Sequence, residues 1–121
     1  MIDDSDTFAP FGLYEDDDDP GRFCLMMPDL DMEKVEDIFR AEGVIGNGHG
    51  WGAVAESAAR RRLPEIAGAL ESDPESGTFV VDSLDLGALR RLAELPQRAY
   101  HDRELLTTLV READPAPDLL Y

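Results

Sequence analysis

The chain has 121 residues and a formal net charge of −16, because 27 Asp and Glu residues oppose 11 Lys and Arg residues. This length predicts one domain with a modest hydrophobic core. The negative charge disfavours direct binding to nucleic acid or to an anionic membrane, and it favours a basic protein partner.

Other features of the composition concern folding and compartment. Hydrophobic residues make up 43% of the chain, which predicts a folded globule rather than a disordered acidic tail. No apolar run approaches the roughly 18 residues of a membrane span. The N-terminal stretch MIDDSDTF is acidic where a signal peptide would be basic, and the single Cys24 leaves no internal disulfide. These features predict a cytoplasmic protein.

The first predicted elements are two short strands joined by an acidic hairpin. Residues 8–14 and 22–27 are rich in aromatic and apolar residues, and EDDDDPG between them combines turn residues with repelling carboxylates. Residues 1–40 hold 13 Asp and Glu against 3 Lys and Arg, so most of the net charge lies here. The tip residues are candidate contacts for a basic partner, and a solvated loop is the alternative. These residues are Asp16, Asp17, Asp18 and Asp19.

Helical patterns follow the hairpin. Residues 31–43 have the apolar spacing of a helix, with Asp31 as a plausible N-cap and Gly43 as its stop. After the glycine-rich loop GVIGNGHGW, a second apolar stripe runs from Trp51 to Leu70. Pro64 predicts a kink in this stretch, or a second helix that begins at the proline.

The rest of the chain predicts one strand and two helices. SDPESG is a turn and TFVVDS a strand, and the first closing helix is expected to end near Pro96 and the second to begin around Asp102. The order β-β-α-α-β-α-α predicts an α+β fold, in which helices pack on a small, mainly antiparallel sheet of about three strands. We expect a single domain over residues 1–121, with loosely held termini at 1–7 and 114–121.

The glycine-rich loop does not have the sequence context of a phosphate-binding loop. A dinucleotide fingerprint follows a strand, whereas a predicted helix precedes this loop, and no Lys-Ser or Lys-Thr pair follows it. Anion binding at the N-terminus of the next helix stays open as an alternative. The favoured interpretation is a tight connection between helices that needs glycine at positive φ.

No other motif indicates catalysis or metal binding. His49 and His101 each lack a second ligand at metal-binding spacing, and the acidic hairpin lacks the register of a calcium loop. Cys24 lies in an apolar strand within the most acidic part of the chain, which disfavours a reactive thiolate. The residues therefore predict no catalytic site, no metal and no cofactor.

Several of these motifs together resemble the immunity protein 51 family, small proteins encoded beside bacterial polymorphic toxins. The resemblance is carried by GNGHGW followed by VA, the LPEIA helix, SDPESGTFVV, and a last helix opened by HDRELL. The family pattern has a G-N-G-Y-D-W loop, an L-P-E-L-type helix, a D-P-E-(A/S)-x-x-F strand and a helix beginning H-D-P-E-L-L. The likeness covers about residues 8–113, and its most specific part is Gly46-Asn47-Gly48 with Trp51 three residues later.

The chain departs from this pattern at three positions. His49 and Gly50 stand where the pattern has an aromatic and an acidic residue, and Arg103 stands where it has proline. An acidic residue at position 50 would cap the following helix, and glycine is a slightly weaker cap. The loop is therefore expected to keep its structural role, whereas partner contacts of the aromatic and acidic residues do not carry over.

The resemblance implies a protein that binds and neutralises a cognate toxin without catalysis, by covering its active site or the approach of its substrate. Many such toxins are nucleases with basic clefts, to which a negative surface is complementary. The candidate contacts in the glycine loop are Asn47, His49 and Trp51, and for Trp51 a place in the core is the alternative. Two other classes stay open, an acidic regulator or nucleic-acid mimic acting on an endogenous enzyme, and a small enzyme using His49. The oligomeric state is left open.

Overall fold

The computed structural model describes residues 3–72 and 78–113. Within these residues it contains five strands and six helices. They are β1 Asp3–Asp4, β2 Gly12–Glu15, β3 Phe23–Pro28, α1 Asp29–Glu33, α2 Glu36–Ala41, α3 Gly48–Arg62, α4 Pro64–Ala67, β4 Glu71–Ser72, β5 Thr78–Ser83, α5 Leu86–His101 and α6 Arg103–Glu112. The predicted α+β class is confirmed, and the three longer strands are those that the sequence predicted.

The strands form one antiparallel sheet in the order β1-β2-β3-β5-β4. Its two edge strands have two residues each, and the sequence pattern predicted neither. The N-terminal segment 1–7 was expected to be loosely held. Of its described residues, Asp3 pairs with Tyr14, and the Asp4 side chain accepts hydrogen bonds from the backbone N–H groups of Asp6 and Thr7, both at 3.0 Å. The strand pairing holds the N-terminal segment against β2, and the Asp4 bonds fix the turn that follows β1.

One face of the sheet packs on the helices. Leu13, Leu25 and Val81 lie side by side across β2, β3 and β5 on this face. Met27 and Phe79 form the next pair on the same face, two residues further along β3 and β5. All five side chains are between 0% and 3% exposed and belong to the core that the helices complete. The result is a two-layer arrangement, with the sheet on one side and the helices on the other.

Trp51 lies at the centre of the core and is 0% exposed. Its ring centroid is 5.6 Å from that of Phe11 and 5.3 Å from that of Phe39, and the rings of Phe79 and Tyr100 lie within 6.5 Å. Such edge-on and tilted aromatic pairs add to the large apolar area that each ring buries. This cluster joins α3 to the sheet and to α5.

The first predicted helix is divided into α1 and α2. Val35 leaves the helical region at φ −123° and ψ 11°, and backbone hydrogen bonds of the i→i+3 type bridge the break. The apolar stripe stays in phase, because Val35 and Ile38 on either side of the break are both buried. Asp31 lies inside α1 and is not its N-cap, which is Pro28.

Gly43 ends α2 as predicted. It has φ +76°, its N–H donates to the carbonyl of Arg40, and the N–H of Val44 donates to the carbonyl of Phe39. These two bonds form a Schellman motif, which needs a residue in the left-handed region and so favours glycine.

Pro64 and Pro96 affect the helices differently. Pro64 opens α4 directly after α3, which confirms the second of the two predicted alternatives, a new helix that begins at the proline. Pro96 was expected to end a helix, but α5 continues through it to His101. Pro96 is buried between the buried Leu92 and Ala99, so tertiary packing stabilises a helix that the proline alone would interrupt. Asp102 caps α6 as predicted, accepting from the N–H groups of Glu104 and Leu105.

Two predicted segments fall largely outside the described residues, the turn over residues 72–77 and the C-terminal tail over residues 113–121. Among the described helices, none combines the length and apolar composition that crossing a bilayer requires.

Candidate partner-binding site

The acidic hairpin between β2 and β3 is confirmed, and its tip is held by backbone hydrogen bonds. The N–H of Asp16 donates to the carbonyl of Arg22 at 2.8 Å, and the N–H of Arg22 donates to the carbonyl of Asp19 at 3.0 Å. The Asp16 carboxylate accepts from the N–H of Asp18 at 2.9 Å. Gly21 completes the turn at φ +91°, in the left-handed region that favours glycine.

The four Asp residues of the tip differ in their exposure. Asp17, Asp18 and Asp19 are all exposed, and within the described chain their side chains make neither a hydrogen bond nor an ion pair. Asp16 differs, because it is half-buried and its carboxylate serves the turn. The side chains that are free for a partner are therefore those of Asp17, Asp18 and Asp19.

Arg22 stands at the base of the hairpin, but its charge is already engaged. Its guanidinium donates to Glu71 at 2.6 Å and to Asp82 at 3.2 Å. These two hydrogen bonds raise the pKa of Arg22 above its usual value. Because Arg22 is paired with carboxylates of β4 and β5, it does little to offset the charge of the hairpin tip.

The net charge is divided unevenly between the two layers. The sheet layer, residues 3–28, 71–72 and 78–83, holds ten Asp and Glu and one basic residue, Arg22. The helical layer, residues 29–70 and 84–113, holds thirteen Asp and Glu and ten Lys and Arg. The described sheet layer thus carries a formal charge of −9 and the described helical layer −3. A basic partner is attracted mainly to the sheet layer.

Ion pairs further neutralise the helical layer. Seven of its basic residues pair with carboxylates of the same layer: Lys34 with Asp31, Arg40 with Glu36, Arg60 with Glu56, Arg62 with Glu112, Arg91 with Glu65, Arg103 with Asp37 and Arg111 with Glu42. Exposed pairs of this kind contribute little to stability. Their consequence here is that carboxylates without a basic partner concentrate on the sheet layer.

The sequence pattern alone did not identify Asp3, Glu71 and Asp82 as part of this acidic surface. Cross-strand pairing places them in one row, because Asp3 lies opposite Tyr14, and Asp82 lies between Cys24 and Glu71. The available signal for Asp82 was its position directly after Val81 in the strand TFVVDS, because successive side chains of a strand face opposite sides and Phe79 and Val81 face the core.

Asn47 is the N-cap of α3. Its side-chain oxygen accepts a hydrogen bond from the N–H of Gly50 at 3.1 Å, and α3 begins at Gly48. The helix therefore starts earlier than predicted, and Gly50 is not its cap. Asn47 is half-buried and its amide oxygen is engaged, so its clearest role is to start the helix.

Within the glycine-rich loop, the predicted positive φ occurs at Gly43, whereas Gly46 and Gly50 are required by close packing instead. A Cβ on Gly50 would lie 2.0 Å from the carbonyl oxygen of Ile45, and one on Gly46 would lie 3.0 Å from Phe39. Among the described glycines, positive φ occurs at Gly21 and Gly43. The backbone of this loop leaves no space for the acidic residue that the family pattern has at position 50.

The predicted contact residues lie at opposite ends of the sheet. Phe23 adjoins the hairpin, whereas Met27, paired with Phe79, lies about 13 Å further along β3. Trp51 packs on Phe79 at this far end, so the glycine loop is remote from the acidic tip. Trp51 is fully buried and offers no surface to a partner in this conformation, and its indole N–H finds no acceptor among the described residues. Of the three loop candidates, His49 has the exposed side chain.

The described residues contain no group of three or more His, Cys, Asp or Glu side chains arranged to hold a metal ion. Burial, followed by the nearby charges of Asp82 and Asp16, raises the pKa of the Cys24 thiol. His101 ends α5 directly before the Asp102 cap, and its Nε2 lies 3.0 Å from the carbonyl oxygen of Ala9.

These observations describe a small α+β domain whose acidic charge is concentrated on its sheet layer. The family model described as Immunity protein 51 matches residues 11–115, so the chain belongs to that family. The comparison agrees with the motifs that carry the resemblance in the sequence. No curated protein and no solved structure matches the chain at a significant level.

Proposed function

We propose that this protein neutralises a cognate bacterial toxin by forming a stoichiometric, non-catalytic complex, and that the toxin presents a basic surface. Membership of the immunity protein 51 family supports the toxin as the class of partner. The charge of −9 on the sheet layer is the observation that supports a basic partner surface. The proposed place of action is the cytoplasm.

The acidic tip is the proposed site of first contact. Asp17, Asp18 and Asp19 project from a turn that backbone hydrogen bonds hold, and no basic residue of the described chain pairs with them. A field of one sign steers a basic partner toward this end and raises the rate of association. A nuclease-type toxin fits this proposal, since a cleft that binds phosphate is basic.

His49 is the exposed candidate at the other end of the molecule. It lies in the first turn of α3, in the helical layer, where most charges are paired. We propose that the sheet layer, with the hairpin tip as its site of first contact, makes the main contact. On this proposal, His49→Ala leaves toxin affinity within about twofold, and an interface centred on the glycine loop gives a loss of tenfold or more instead.

The experiment that tests the function is survival under co-expression. The C-terminal domain encoded by the large reading frame beside this gene is induced in cells that carry or lack this chain. Rescue of growth, with co-purification of the two chains, is the expected result.

The contrary result is a toxic domain that this chain neither rescues nor binds. That outcome removes the immunity proposal. It favours the acidic regulator of an endogenous enzyme, to be sought by a pull-down from lysate.

A further inference from the structure

The face of the sheet opposite the helices has an apolar centre. Tyr14 and Cys24 are paired across β2 and β3, and Met26 and Val80 are paired across β3 and β5. These four residues, named here the open face, are all half-buried. Leu25 and Val81, which alternate with them along the same strands, are at most 3% exposed.

The helices do not account for the apolar character of the open face. None of its four residues belongs to the core cluster or packs against it within the described chain. The ring of Tyr14 instead lies over Gly12, where a Cβ would come within 2.2 Å of the Tyr14 hydroxyl oxygen. The aromatic ring thus extends the apolar area along the strand.

Strands with apolar residues on both faces are typical of sheets that are covered on both sides. A sheet with one solvated face alternates apolar and polar residues instead. Here FCLMM in β3 and FVV in β5 continue the apolar run without alternation. The sequence of these strands therefore fits a sheet whose second face is covered by a partner.

Acidic residues border the hairpin side of this apolar centre. Asp3 and Asp82 lie at either end of the row that contains Tyr14 and Cys24, and Glu71 follows Asp82. The acidic tip stands at the hairpin end of the same strands. Arg22 pairs with Asp82 and Glu71, so the free carboxylates of this rim are those of Asp3 and the acidic tip. An apolar centre with a polar rim is the usual composition of a protein–protein interface, and the net negative charge of this rim favours a basic partner.

We propose that the open face is the docking platform for the toxin and that the acidic tip steers its approach. This proposal rests on the proposed function. The occupant is a toxin surface with an apolar patch bordered by Lys and Arg side chains. The open face supplies the buried centre of the interface, and the free carboxylates of Asp3 and the acidic tip supply complementarity to the toxin's cations.

The test places a bulky cation at the centre of the open face. Val80→Arg and its cross-strand neighbour Met26→Arg are compared with Thr108→Arg as a matched control. Thr108 has the same branched shape as valine and is exposed on α6, in the helical layer. Titration calorimetry with the neighbouring toxin domain measures affinity, and thermal melting identifies variants that remain folded.

The expected result is a loss of affinity of about thirtyfold or more in whichever open-face variant melts like the wild type, since central contacts contribute most to binding. Thr108→Arg is expected to bind within about twofold of the wild type. Wild-type affinity in folded Val80→Arg and Met26→Arg overturns the docking proposal and leaves the proposed function intact. A wild-type chain that neither binds nor neutralises the toxin overturns both.

A second copy of this chain is the competing occupant. Sedimentation of the wild type without toxin shows whether the chain forms a dimer. A dimer that Val80→Arg dissociates, with toxin affinity unchanged, assigns the open face to self-association and rejects the toxin platform.

Discussion

Gly50→Ala tests whether the glycine loop is primarily a structural connection. The added Cβ would lie 2.0 Å from the carbonyl oxygen of Ile45, whereas ordinary contact begins at 3.4 Å. The loop must therefore open by more than 1 Å at backbone atoms. Overpacking of this kind costs about 1–3 kcal/mol. Strain on the hydrogen bond from the Gly50 N–H to Asn47 adds about 0.5–2 kcal/mol.

Together these effects predict a decrease of about 1.5–5 kcal/mol in the free energy of unfolding, or roughly 6–20 °C in Tm. Gly68→Ala is the matched control, because Gly68 has φ −70° and nothing lies within 4 Å of its Cβ position. Gly68→Ala is expected to be neutral or to stabilise by about 0.4–1 kcal/mol. Urea unfolding followed by circular dichroism measures both. Equal stability of the two variants would refute the close approach at Gly50.

Three further predictions concern the hairpin, the α3 cap and the thiol. Replacing Asp17, Asp18 and Asp19 with Asn is expected to slow toxin association about threefold to tenfold at low salt and little at high salt. Stopped-flow association rates of this variant are compared with those of a control in which Glu33, Glu94 and Glu104 are replaced with Gln, which removes the same number of charges. Equal slowing in the two variants would contradict steering by the hairpin. Asn47→Ala is expected to cost about 1 kcal/mol in urea unfolding, and no loss would show that the cap is dispensable. Because its raised pKa keeps Cys24 protonated, iodoacetamide is expected to modify the folded chain more slowly than the unfolded chain at pH 8–9, and equal rates measured by mass spectrometry would contradict this.

Local patterns in the sequence predicted much of the fold. The hairpin, the three longer strands, the stop at Gly43 and the helix opened by Pro64 each depend on residues close together in the chain. Turn chemistry, alternation and capping act over such distances, which is why these elements could be predicted.

The features that were not predicted depend on distant contacts. Helix α5 passes through Pro96 because the buried side chains around it pack into the core, and β1 exists because Asp3 and Asp4 meet β2. The start of α3 was misplaced because the glycines gave no sign that Asn47 would supply the cap.

The candidate site shows the same division between local and distant information. The hairpin carboxylates could be found from a run of four Asp residues, Asp16 to Asp19. The separation of charge between the layers could not be found from the sequence, because it depends on which strands pair and which side chains face away from the helices. Because β3 has apolar residues on both faces, its sequence does not alternate between apolar and polar residues. This lack of alternation is the feature on which the docking proposal rests.

The central claim is that this protein neutralises its toxin by binding and not by turnover. The most direct measurement is a titration of toxin activity with increasing amounts of purified protein, followed over time. Stoichiometric binding predicts that activity falls in proportion to the added protein, reaches its minimum at a fixed molar ratio, and does not change on longer incubation. A small fraction of an equivalent that progressively inactivates all of the toxin would contradict the account.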